Sequence, residues 1–159
     1  MTDAPAPDVQ LTTPPPSPAP SAAAKKPVLG TNPYFWGTGR RKTAVARVRI
    51  KPGSGVFKVN DREVDEFFKV GENRQAVRTP LNVTETIKSM DVFVNVRGGG
   101  IHGQADAVVL GLARALVKAN ADYEPKLRAG NLLTRDARKV ERKKYGQSGA
   151  RKRFQYSKR

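Results

Sequence analysis

The sequence predicts an α/β protein: a two-layer domain of sheet plus helix, with a disordered extension before it and an extended basic tail after it. Three observations predict this. Residues 1–33 hold nine of the twelve prolines and almost nothing to bury. Residues 34–134 mix apolar alternation of period two with a helical apolar stripe. Residues 135–159 carry eleven Lys or Arg against two acids.

The extension contains Asp3, Asp8, Lys25 and Lys26, and so has no net charge. A segment that cannot bury apolar surface has no gain to set against the entropy of ordering, and disorder is expected over 1–33. It contains no arginine, unlike an organellar transit peptide, and lacks the apolar stretch of a secretory signal. No apolar run approaches the roughly 20 residues that cross a bilayer. A soluble, cytoplasmic protein is the expectation.

The folded part opens with TAVARVRI, in which Ala44, Ala46, Val48 and Ile50 alternate with Thr43, Val45, Arg47 and Arg49. That pattern is a strand with one basic face. Turn-forming residues Lys51 to Gly55 lead into VFKVN, so an antiparallel hairpin is expected between the two. VDEFF (64–68) and NVTETIKSM (82–90) are too short to separate helical turns from loops. DVFVNVR (91–97) places Val92, Val94 and Val96 on one face of a further strand. From Gln104 to Asn120, Ala105, Val108, Val109, Leu112, Leu116 and Ala119 recur at helical spacing, which predicts the core helix packed on the sheet. In the tail, RDARKVERKKY (135–145) has good helix formers and predicts a short helix. GQSGARKRFQYSKR (146–159) predicts an extended segment with a reach of about 45 to 50 Å.

The formal net charge is +16, which calls for a polyanionic partner, nucleic acid first. Cysteine is absent and His102 is the single histidine, so thiol chemistry is excluded. The 14 acids show no metal-ligand spacing. No cofactor, metal or catalytic apparatus is expected, and His102 reads as a loop or packing residue.

The tail cations Arg138, Lys139, Arg142, Lys143, Lys144, Arg151, Lys152 and Arg153 are candidates for RNA phosphates. Tyr145, Phe154 and Tyr156 among them offer stacking faces. A second cluster comprises Arg40, Arg41 and Lys42, with Arg47 and Arg49 on the first strand and Arg97 at the end of a later one. A planar guanidinium suits phosphate oxygens. Within YFWGTG (34–39), a plug at the domain edge is favoured for Trp36, with a stacking platform as the alternative. GGGIHGQ (98–104) lacks the Lys-Ser/Thr of a phosphate loop, and a tight turn with positive φ angles is favoured over an anion site.

GTGRRKTAVARV (37–48), GGGIHGQADAVVLGLARAL (98–116) and LLTRDARKVERKKYGQSGARKRFQYSKR (132–159) resemble, in order, blocks of the ninth protein of the bacterial small ribosomal subunit, the uS9 family. The resemblance covers nearly everything from Gly37 onward. It implies a left-handed β-α-β crossover and a non-catalytic place in the subunit head. It also implies small-subunit rRNA, neighbouring head proteins and the anticodon stem-loop of peptidyl-site tRNA as partners, with no membrane and no small-molecule substrate. Ser157, Lys158 and Arg159 correspond to the family's last residues, which implies tRNA contact. The N-terminal extension lies outside the family pattern, and Tyr156 stands where many members have phenylalanine. Two readings from other classes compete: an RNA-processing enzyme, which would turn over RNA, and a DNA-compacting protein, which would prefer duplex DNA.

Overall fold

The computed structural model describes residues 33–157. The expected N-terminal disorder therefore falls outside the described residues, apart from Pro33, and so do Lys158 and Arg159. Strand β1 (Phe35–Arg41) turns at Lys42 and Thr43 into β2 (Ala44–Pro52), with Lys42 taking φ 51°. Next come β3 (Phe57–Val59), β4 (Arg62–Glu63), α1 (Val64–Phe67) and α2 (Gly71–Val83). Strand β5 (Met90–Arg97), the long helix α3 (Ile101–Ala119), a 3-10 turn (Ala121–Tyr123) and α4 (Glu124–Ala129) complete the domain.

The five strands lie in the order β1-β2-β5-β3-β4. All neighbours are antiparallel except β3 and β5, which are parallel. The helices cover one face. Ala44, Ala46, Val48 and Ile50 of β2 and Val92, Val94 and Val96 of β5 are buried there, as their alternation predicts. They meet Ala105, Val108, Leu112 and Leu116 of α3 and Val77 and Leu81 of α2. The helix begins three residues ahead of the expected Gln104, because Gly98 and Gly99 turn the chain at φ 73° and 68° and release Gly100 to start it.

Three expectations are corrected. VFKVN does not form a hairpin with TAVARVRI, because β5 lies between them. The Asp91 carboxylate explains why: its Oδ1 accepts from the amides of Ser54 (2.9 Å), Gly55 (3.1 Å) and Val56 (3.1 Å), so the turn is carried over the end of β5 instead of folding back on β2. Second, no helix covers 135–145. Val140 is 93 % exposed, and a helix this short with no face to bury is marginal whatever its propensities. Third, the segment after Gly146 does not run straight. Residues 145–151 turn, with Gly146 at φ 66°, and an ion pair between Arg151 and Glu141 closes the loop.

Two elements carried no readable pattern. Helix α2 turns Asn73, Val77 and Leu81 inward, one of them polar, so its apolar stripe is thin. Strand β1 contains two glycines, which ordinarily weaken a strand. They are there because α3 crosses so close that a Cβ on Gly39 would overlap the Ala107 carbonyl, and one on Gly37 would come within 2.7 Å of Ala115 N.

Candidate nucleic-acid interface

With both helices on one side, the alternate residues of the central strands emerge on an uncovered face. The register sets them in cross-strand rows. Trp36 pairs with Arg49 and Arg49 with Phe93, Thr38 pairs with Arg47 and Arg47 with Asn95, and Val45 pairs with Arg97. The guanidinium of Arg47 lies 5.7 Å from the Trp36 ring centre, and that of Arg49 lies 5.6 Å from Tyr34 and 5.4 Å from Phe93. Lys51 Nζ lies 5.7 Å from the Phe93 ring, and Tyr34 meets Phe93 edge-on at 6.4 Å. The four cation-to-ring distances are within the range of cation–π attraction. Trp36 is 42 % exposed, so it does not plug the domain edge: its position in the register points it away from α3.

The other cluster divides. Arg40 and Lys42 are exposed at the β1–β2 turn. Arg41 is turned inward, its side chain only 14 % exposed. Its guanidinium donates to Asp106 of α3 at 3.1 Å, pairs with Asp136 at 2.9 Å, and reaches the Arg138 carbonyl at 3.4 Å. This clamp holds the root of the tail against the start of α3. Asp136 also accepts from the side chain and the amide of Arg138, and these bonds, Arg138 first and Arg41 last, hold its carboxyl far below the usual carboxylate range. Arg138 is raised in turn by Asp136.

Beyond the clamp, Lys139, Arg142, Lys143, Lys144, Lys152 and Arg153 are exposed, as are Tyr145, Phe154, Tyr156 and Ser157. Arg142 donates to the neighbouring Lys143 carbonyl at 3.3 Å. Arg151 is bound by Glu141, which raises its guanidinium further. Arg97 is exposed at the end of β5. The structure thus gathers Arg47, Arg49 and Arg97 on one sheet face, keeps the tail cations on a separate strap, and assigns Arg41 to the joint between domain and strap.

Sequence reasoning passed over four side chains. Phe93 and Asn95 share the polar face of DVFVNVR with Arg97, and that alternation was the available signal. Arg114 and Lys118 of α3 donate to the Thr38 and Trp36 carbonyls, both at 2.8 Å, and so cap the open edge of β1. No local pattern foretells a bond across 76 or 82 residues. His102 is tied through Nδ1 to Asn73 Oδ1 at 2.8 Å and joins α3 to α2, consistent with a packing role. Among the described residues no three potential metal ligands come together, and no helix is long and apolar enough to cross a membrane.

A family model described as ribosomal protein S9/S16 matches residues 39–159. The chain is 59 % identical over 123 residues to the small ribosomal subunit protein uS9 of Treponema pallidum strain Nichols, covering 77 % of this chain and 95 % of that protein. It is 52 % identical over 121 residues to the protein of the same name from Anaeromyxobacter sp. strain K, covering 76 % and 93 %.

Proposed function

The chain belongs to the ribosomal protein S9/S16 family and is a structural, non-enzymatic constituent of the small ribosomal subunit, and from that premise we propose that its domain binds rRNA in the subunit head while its tail reaches peptidyl-site tRNA. The observation that carries this reading is the strap beyond the Arg41 clamp. Val140, Tyr145 and Tyr156 are 93 %, 98 % and 101 % exposed, and most of the cations among them face solvent. Apolar and charged groups displayed together, with no core of their own, are organised for an external polyanion with faces to stack on.

In this proposal residues 34–134 are the rRNA-binding domain and 135–159 the strap. The crossover from β3 through α1 and α2 to its parallel neighbour β5 is left-handed, as the family resemblance implies. Arg40, Lys42, Arg47, Arg49 and Arg97 neutralise rRNA phosphates on the domain. Arg138, Lys139, Arg142, Lys143, Lys144, Arg151, Lys152 and Arg153 do so along the strap. Arg151 exchanges Glu141 for phosphate as the loop opens, which lets residues 146–159 extend. Ser157, Lys158 and Arg159 contact the anticodon stem-loop, and neighbouring head proteins complete the setting.

Truncation tests it. Small subunits carrying the chain without Lys158 and Arg159 should assemble normally and hold peptidyl-site tRNA less tightly. Unchanged tRNA retention refutes the tRNA contact. Failure of the truncated chain to enter subunits refutes the division of labour between domain and strap. Sedimentation in low and high salt tests the wider assignment: the chain should stay with small subunits through moderate salt, and recovery at the top of the gradient would overturn it.

A further inference from the structure

We propose that the uncovered sheet face is a stacking surface for unpaired RNA nucleotides, built on Trp36, Arg47, Arg49 and Phe93 with Asn95 and Arg97 beside them. The proposal rests on the RNA-binding reading and gives one of its surfaces a specific ligand chemistry.

The rings come first. Trp36 and Phe93 lie in one cross-strand row with Arg49 between them. They are therefore two strand spacings apart, roughly 10 Å, so the two bases they take are splayed, not stacked on each other: one on the exposed Trp36, the other on the Arg49 guanidinium layered over the half-buried Phe93. Duplex RNA keeps its bases stacked inside and offers no such faces, which selects an unpaired segment. A stacked guanidinium is itself a flat surface that a base can cover, and Arg47 and Arg49 are held that way at 5.7 and 5.4 Å from Trp36 and Phe93.

The charge agrees with this. Arg47, Arg49 and Arg97 form no ion pair with the described residues, so their N–H edges remain available to phosphate. The carboxylate of Asp91, at the end of this face, is occupied by three loop amides and Lys51. The one other acid in the described strands, Glu63, lies at the far edge of the sheet opposite Lys58. A protein partner would need carboxylates matched to every arginine, whereas a polynucleotide supplies anions at each residue.

Shape supplies a third observation. Val45, Arg47, Asn95, Val96 and Arg97 line a small depression of about 180 Å³ beside the Trp36–Arg47 pair. The exposed Asn95 amide offers both a donor and an acceptor to a base edge at that place. Rings, cations and an amide on rigid strands make a preformed site, in contrast to the strap.

Trp36 is the single tryptophan of the chain, so its fluorescence reports directly on the platform. The full-length protein is titrated with a single-stranded oligouridylate and with a fully paired RNA hairpin, following labelled-RNA anisotropy and Trp36 emission together. Single strands should quench Trp36, and the quenching should survive salt that abolishes hairpin binding. Phe93→Ala should weaken oligouridylate binding by about 5- to 150-fold and hairpin binding by less than about twofold. Trp36→Phe should retain the affinity, which guards against a folding defect. If oligouridylate binds with Trp36 emission unchanged and Phe93→Ala binds like the parent, the platform is refuted while RNA binding stands. If neither RNA binds, the RNA-binding reading itself fails. In intact small subunits, ultraviolet cross-linking should yield a nucleotide adduct on Trp36 or Phe93. A peptide adduct in its place would assign the face to a neighbouring protein and overturn the proposal.

Discussion

Replacing Gly39 by alanine tests how the domain is held together. The added Cβ would overlap the Ala107 carbonyl oxygen and stand 2.5 Å from Gly111 N, where ordinary contact begins near 3.4 Å. Neither group can swing aside, because both are helix backbone. Helix α3 must draw back from β1, loosening the packing of Ala105, Val108, Leu112 and Leu116 at once. Overpacking that side chains can absorb costs about 1 to 3 kcal/mol. Backbone against backbone places this substitution at the upper end, about 3 kcal/mol or more, out of a typical total of about 5 to 15 kcal/mol. For a domain of this size that is a fall in Tm of about 12 °C or more. Thermal and urea unfolding followed by circular dichroism measure it. Gly71→Ala is the control: nothing lies within 4 Å of its Cβ and it sits at the start of α2, so it should be neutral or stabilise by up to about 1 kcal/mol. A Gly39→Ala protein within about 0.5 kcal/mol of the parent would refute the close approach of α3, since surface substitutions commonly do no more than that.

Arg41→Ala should free the root of the strap, so that the Arg138 amide, which donates to Asp136 Oδ1, exchanges several-fold faster while the amides of β2 and β5 are unchanged; unchanged exchange at Arg138 would dismiss the clamp. The Val56 amide, followed by those of Ser54 and Gly55 and by Lys51, holds the Asp91 carboxyl below its ordinary 3.8. A carboxyl depressed on folding stabilises above the unfolded value and loses that contribution as pH falls through the folded one. Stability measured from pH 6 downward should therefore begin to fall near 4, and Asp91→Asn should be less stable at neutral pH with a flatter acid profile. Removing 135–159 should leave the helical circular dichroism per molecule unchanged, since no helix covers 135–157. It should also lower the salt slope of RNA binding by about 0.7 to 0.9 for each phosphate that the shortened chain no longer neutralises.

Wherever one period governs, the order of residues along the chain is enough to say which side chains face the core. Strands β2 and β5 read correctly residue by residue because alternation depends only on the pleat, and α3 nearly so because its stripe repeats over five turns; Val109 is the exception, lying beside the stripe in a surface depression with Arg41 and Asp136 and outside the core. The chemistry was legible too, since net charge and the absence of cysteine need no coordinates, and three ordered blocks identified the family. The partners of those elements were settled only by packing in three dimensions. Two strands separated by a turn have no local property that forbids pairing, so only Asp91 binding the 54–56 amides shows why β3 crosses to β5. The glycines of β1 look like strand breakers until α3 is laid against them, and Trp36 looks like core until the register turns it outward beside Arg47. Arg41 is one cation of three in GRRK; that it faces Asp106 and Asp136 while Arg40 faces solvent follows from the two-residue period of β1 and from where the chain returns 95 residues later. Local preference is written in neighbouring residues, whereas strand order and ion-pair choice depend on surfaces that exist only after distant segments have packed.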